Sequence, residues 1–159
     1  MLLEYISECS NNGYQVFSHN QAPDGNFVSP TLIELNSIDD INEEKFGPIL
    51  HVIKYKTDEL DQILNALKNK QYGLTMGIHS RIESKADDII NKSIAGNTYI
   101  NRDIVGAVVG SQPFGGTGLS GTGFKAGGPN YLLQFVDERS ITKNTVAFGG
   151  NAEILNLED

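Results

Sequence analysis

An α/β fold is expected for this chain, on three observations. Its apolar residues switch repeatedly between a helical period and a strand-like alternation. From residue 49 to residue 100 the order runs strand, helix, strand, helix, strand, which implies right-handed crossovers and a parallel sheet. No internal repeat or low-complexity tract offers another source for that alternation.

The elements follow in order. Met1 to Asn12 has helical character and stops at Gly13, a residue suited to the left-handed terminating position. Tyr14 to Phe17 reads as a short strand, and the loop from Ser18 to Asn26 turns at Pro23-Asp24-Gly25. Phe27 to Leu35 is extended, with Pro30 pointing to an edge strand or a bulge. Ile49 to Tyr55 is the next strand. Asp58 to Lys70 is the clearest helix, because Leu60, Ile63, Leu64 and Leu67 fall at i, i+3, i+4 and i+7. Its acidic start and lysine-rich end suit the helix dipole. Leu74 to His79 is a strand, Ser84 to Ser93 a helix with Ala86, Ile89 and Ile90 inward, and Thr98 to Ile100 a further strand.

Composition then changes. Between Gly106 and Gly128 lie nine of the 17 glycines, too many for a regular element. The interspersed Val108, Val109, Phe114 and Leu119 argue against a polar linker. A shaped loop whose backbone approaches a ligand is the better reading. After it, Pro129 stands where a helix over Tyr131 to Val136 would begin, and Ser140 to Val146 alternates toward a terminal strand.

Bulk properties bound the function. The 159 residues are 39% hydrophobic, enough for one domain's core. Twenty acidic against 12 basic residues give a net charge of -8 with no basic cluster, so nucleic acid is not expected as a partner. No apolar run approaches the roughly 18 to 20 residues that cross a bilayer, and Met1 to Ser10 lacks a signal-peptide pattern. A cytoplasmic location is expected. One cysteine, Cys9, excludes an internal disulfide, and His19, His51 and His79 are too scattered to point to a metal site.

Gly116-Thr117-Gly118-Leu119-Ser120-Gly121 fits the GxGxxG expression, with Asp137 at about the interval of a ribose-binding acid. The context contradicts it. Pro113-Phe114-Gly115 stands where a buried strand should end, and Gly123, Gly127, Gly128 and Pro129 prevent the helix that would hold a pyrophosphate.

Two other motifs carry a resemblance. Glu44-Lys45-Phe46-Gly47-Pro48 resembles the Glu-x-Phe-Gly-Pro segment of the aldehyde dehydrogenase superfamily. Gln112-Pro113-Phe114-Gly115-Gly116, followed by Ser120-Gly121, resembles that family's C-terminal glycine loop, and Gly96 to Asn101 resembles the strand leading into it. Asn101 to Gly110 together with Lys125-Ala126-Gly127-Gly128-Pro129 is similar to the L-glutamate-γ-semialdehyde (1-pyrroline-5-carboxylate) dehydrogenase branch, in its bifunctional proline-utilisation form. The ending, with Gly149-Gly150-Asn151, resembles the same form. Phe124 departs from the proline that relatives often carry.

The resemblance implies a parallel-sheet part of the aldehyde dehydrogenase catalytic domain over residues 1–139, and an oligomerisation strand and tail over 140–159. The family oxidises an aldehyde through a cysteine thiolate, with NAD as the hydride acceptor. Glu44 would accept hydrogen bonds from the hydroxyls of the nicotinamide ribose, and Phe46 would limit where the nicotinamide ring sits. The amides of Gly106 and Ala107 would bind the carboxylate of L-glutamate γ-semialdehyde. Some relatives have serine where Ala107 stands, so the main chain alone would make that contact here. Phe114 would wall the methylene chain. Glu44 and Phe46 are therefore expected to face the cleft that Gly106 and Ala107 face. Read without the motifs, Glu44 is a solvated loop residue, Phe114 core filler, and 106–107 a structural turn.

The catalytic cysteine is expected upstream of residue 1, since Cys9 precedes both motifs and reads as a small apolar residue of the first helix. No catalytic residue and no metal ligand is therefore assigned within the chain, which is expected to be inactive alone. The flap strand, Ser140 to Val146, implies a homo-oligomer. The alternative reading is a non-catalytic oligomerisation or regulatory module.

Overall fold

The structure, a computed structural model, describes residues 1–19, 22–108 and 110–148. Helix α1 (Leu2–Asn11) ends at the expected glycine. Gly13 adopts φ +86°, and the amides of Gly13 and Tyr14 donate back to Ser10 O and Cys9 O at 3.1 Å each. These two bonds form a Schellman motif, which satisfies carbonyls that the last turn would leave open.

The turn delivers the chain into a three-stranded sheet of order β1 (Gln15–Ser18), β2 (Thr31–Leu35), β3 (Ile49–Ile53). β1 pairs antiparallel with β2, and β2 pairs parallel with β3. Thr31, Ile33 and Leu35 alternate inward along β2, and Ile33 and Leu35 pack with Cys9 of α1, with Tyr5, Ile6, Tyr14 and Val16 around them. Ile33 is wholly buried, which contributes about 2 to 3 kcal/mol. Between β2 and β3 the chain makes a short 3-10 turn, Ile38–Asp40, capped by Ser37, whose Oγ accepts from Asp39 N at 3.1 Å.

Helix α2 (Leu60–Lys70) follows a one-turn 3-10 entry and turns Leu64 inward. It ends on Gln71, a non-glycine residue at φ +62°. Strand β5 (Thr75–Ile78), helix α3 (Glu83–Lys92) and β6 (Asn97–Ile100) form a βαβ unit with parallel pairing. β4 (Tyr72–Gly73) pairs antiparallel with β7 (Thr117–Gly118). Lys92 of α3 ties the two helices, bonding Asp61 of α2 at 2.6 Å and Asp88 of its own helix at 2.8 Å.

The α/β class is observed, and three finer expectations are corrected. The parallel strands do not form one sheet: β3 pairs only with β2 and β5 only with β6, because periodicity sets an element's type but not its neighbour. Pro30 lies just before β2, which is the central strand, so the proline costs the ladder no donor. Tyr131–Phe135 is a 3-10 helix with Asn130 at its N-cap, so Pro129 stands one residue outside. Ser140 to Val146, expected as a strand that pairs with another subunit, is exposed at all seven residues and pairs with no strand among the described residues. Gly149 to Asn151, which carried part of the resemblance, lie outside the described residues.

Much apolar surface stays uncovered. The chain exposes 12603 Å², against about 7,800 Å² for a compact monomer of its length. Leu50 on β3 is 59% exposed, and a groove of about 440 Å³ opens among Tyr55, Leu60, Ile63, Leu67 and Met76.

Candidate functional site

The Glu44 to Pro48 segment leads into β3 and is pinned on one side. Lys45 is half-buried, with its Nζ 4.6 Å from the centre of the Tyr5 ring and paired to Glu43. Gly47 lies so close to α1 that a Cβ there would sit 2.5 Å from Leu2 Cδ1. Pro48 O accepts from Thr31 N at 2.9 Å, which aligns the loop's exit with β2. Glu44 and Phe46, on either side of the pinned lysine, both face outward, Phe46 at 83% exposure. No donor among the described residues is bonded to the Glu44 carboxylate, so its acceptors are uncommitted.

Beneath this segment the Tyr5 hydroxyl bonds His51 Nε2 at 2.7 Å, with the rings edge-on at 5.8 Å. Burial, and then the Lys45 charge, hold His51 below its ordinary value. Burial, and then the neighbouring Cys9, push the Tyr5 phenol well above the usual tyrosine range.

The glycine loop is shaped rather than slack. Asn97, the first residue of β6, donates from Nδ2 to Pro113 O and accepts at Oδ1 from Gly115 N, both at 3.1 Å. Lys125 Nζ donates to Gly115 O, which fastens the next peptide of the same residue. Burial pushes that ammonium below the ordinary lysine value. Phe114 and Ala126 exchange backbone bonds of 3.1 and 2.9 Å. Leu119 N donates to Gln71 O at 2.7 Å, and Gly118, at φ +62°, must be glycine because a Cβ would lie 2.4 Å from that oxygen. Phe114 is half-buried in this frame, neither a free tip nor core.

Upstream, Gly106 sits at φ +68° with open space where a side chain would stand. Its carbonyl accepts from Tyr99 Oη at 3.3 Å, while no acceptor among the described residues takes the N–H of Gly106 or Ala107. The turn is braced by an Asp103 carboxylate accepting from Val105 N at 3.0 Å, and by Gln112 Oε1 accepting from Val108 N at 3.0 Å.

The candidate residues therefore lie on two loops, each a candidate half-site. Glu44 and Phe46 share one loop; Gly106, Ala107 and Phe114 lie along another, held from β6. Among the described residues no hydrogen bond or ring contact joins the two. Sequence reasoning missed the supports: Tyr5, Lys45, His51, Asn97 and Lys125. Lys45 and Lys125 both stood in quoted motifs with a charge that could have drawn notice. Among the described residues there is no His/Cys/Asp/Glu group able to hold a metal, and no helix long and apolar enough to cross a membrane. Cys9 is 4% exposed in the α1–β2 core, so its thiol reaches neither half-site's surface.

Comparison with known proteins fits this arrangement. Residues 1–141 match the aldehyde dehydrogenase family. The chain is 52% identical over 115 residues to the bifunctional protein PutA of Klebsiella aerogenes, covering 72% of this chain and 9% of that one. It is 35% identical over 145 residues to the 1-pyrroline-5-carboxylate dehydrogenase of Oceanobacillus iheyensis, covering 88% of this chain and 27% of the relative. A crystal structure of a bifunctional proline utilization A protein superposes with TM-score 0.80 at 47% identity, over 93% of this chain and 15% of that one. The NAD-bound 1-pyrroline-5-carboxylate dehydrogenase from Thermus superposes with TM-score 0.74 at 36% identity, over 86% and 27% of the two chains. The chain thus spans about a tenth to a quarter of the length of these relatives.

Proposed function

As the chain belongs to the aldehyde dehydrogenase family, we propose that it forms part of an NAD-dependent enzyme that oxidises L-glutamate γ-semialdehyde, the open form of 1-pyrroline-5-carboxylate, to L-glutamate in proline breakdown. What carries the reading is the 35% identity over 145 residues to a 1-pyrroline-5-carboxylate dehydrogenase, which includes both half-sites. Residues 1–139 are the contribution to the catalytic domain, and 140–159 are an oligomerisation strand and tail.

Glu44 and Phe46 fit the nicotinamide end of NAD. An uncommitted carboxylate can accept from two vicinal hydroxyls, and an outward ring offers an apolar face to a flat heterocycle. NAD, when bound, accepts the hydride released by the aldehyde carbon. The chain's own residues bind and orient. The open amides of Gly106 and Ala107 hold the substrate carboxylate, Phe114 lies along its methylenes, and Asn97 and Lys125 keep Phe114 in place through the Gly115 peptide. The nucleophilic thiolate comes from outside these 159 residues.

The test is to express the whole reading frame that contains this chain and follow NADH with 1-pyrroline-5-carboxylate and with an aldehyde lacking the acid tail. Turnover of the former over the latter is expected; equal use of both would overturn the substrate assignment. A second reading, a non-catalytic oligomerisation or regulatory module, draws on the exposed apolar stretch Leu132, Phe135, Ile141 and Val146. Absence of any NADH from the whole protein, with intact assembly, would favour it.

A further inference from the structure

We propose that Tyr5 is a positioning residue for the coenzyme-facing loop: its ring, tethered through its hydroxyl to His51, seats Lys45 and so turns Glu44 and Phe46 outward as a pair. The inference rests on the reading of Glu44 and Phe46 given above.

The argument starts from how the loop is pinned. Between Ile41 and Ile49 there is no regular hydrogen-bonded element, so side-chain direction must be imposed from outside. Burial alternates through Glu44, Lys45 and Phe46 as exposed, half-buried, exposed. The inward member is a lysine, which has no apolar reason to turn in. It turns in because an electron-rich face waits 4.6 Å away on α1 and Glu43 offsets its charge. Gly47 adds a second contact to the same helix, against Leu2. Helix α1, remote from both motifs in sequence, is therefore the seat of the loop.

The seat is itself located by a cross-tie. The 2.7 Å bond from Tyr5 to His51 joins α1 to β3, the strand the loop runs into. Helix, loop and strand thus form a closed triangle with Tyr5 at one corner. The charged and titratable groups facing His51 are Tyr5 from α1 and Lys45, with its partner Glu43, from the loop. Across the sheet its β2 neighbour is Ile33, which does not titrate. A protonated His51 would place a second cation beside Lys45 and loosen the corner, so the seat is firm only while the imidazole is neutral.

Two measurements test this. In the 159-residue chain, NMR titration of the His51 ring should move to higher pH in Lys45→Met, which removes the neighbouring charge. Amide exchange across residues 44–47 should quicken in Tyr5→Leu and less in Tyr5→Phe, which keeps the ring. In an active protein that carries this chain, Tyr5→Leu and Lys45→Met should raise KM for NAD about five-fold, a modest cation–π contact, with kcat and the aldehyde KM held. The parent's KM for NAD should climb on acidification, and His51→Gln should flatten that climb. Unchanged His51 titration and amide exchange in Lys45→Met overturns the proposal. So does an unchanged KM for NAD where Glu44→Gln raises it. If Glu44→Gln leaves KM for NAD unmoved, the coenzyme reading has failed instead, and amide exchange alone then decides whether Tyr5 seats the loop.

Discussion

Gly96 leaves no room for a side chain at the base of the glycine loop. A Cβ there would meet Gly115 O at 2.0 Å and Lys125 Nζ at 2.3 Å, so Gly96→Ala must displace the Gly115 carbonyl and the lysine that bonds it. A loss of about 1 to 3 kcal/mol is expected, the usual cost of overpacking, read as a lower urea midpoint. Glu44→Gln keeps the shape of its side chain but removes the charge that strengthens hydrogen bonds from ribose hydroxyls. KM for NAD in the active protein should rise roughly ten-fold or more, and an unchanged value would remove Glu44 from the coenzyme site. His51 gives a signed pH effect. Its folded value is depressed below 6.5 by burial and then by Lys45, so the unfolded chain binds the proton more readily. The stability that neutral His51 supports is complete above that value and is lost as pH falls through the folded one. Thermal melts should show this acid-side slope, and His51→Gln should reduce it.

Between elements, one cation and one leucine stand where α2 meets the βαβ unit. Lys92 bonds Asp61 and Asp88, and those two carboxylates raise its pKa. The group is solvent-facing, so Lys92→Met should cost little, and the difference from the parent should vanish near ~1 M salt, where the Debye length shrinks to about 3 Å. Leu64 is 6% exposed and lines the groove beside β5. Leu64→Ala should cost about 2 to 3 kcal/mol, the low end for a buried leucine because the open groove can relax toward the void. The periods of α2 and α3 were plain in sequence, since Leu60, Ile63, Leu64 and Leu67 must share a face once the chain is helical. The end of α2 was not. Gln71 takes a left-handed conformation that glycine usually supplies, and what stabilises it lies 48 residues on, where its carbonyl receives Leu119 N.

For the molecule as a whole, eight apolar residues are buried among those described, while Leu132, Phe135, Val136, Ile141 and Val146 stand together in the exposed C-terminal stretch. Such a surface seeks cover, so the purified chain should self-associate. Light scattering that finds a monodisperse monomer at high concentration would contradict this. The same chain mixed with NAD and 1-pyrroline-5-carboxylate should form no NADH above a heat-treated control. The α/β class, most of the elements and the family were legible in the sequence, because periodicity, turn residues and the two glycine-bearing motifs are local properties that a segment carries wherever it sits. That β3 and β5 lie in separate sheets among the described residues, and that Pro30 precedes a central strand, emerged from the folded arrangement alone. It also brought the Tyr5 ring against Lys45 and Lys125 Nζ to the Gly115 carbonyl. Those outcomes depend on which remote backbone edge, ring or carbonyl comes within hydrogen-bond or stacking reach, and no stretch of local pattern encodes that distance.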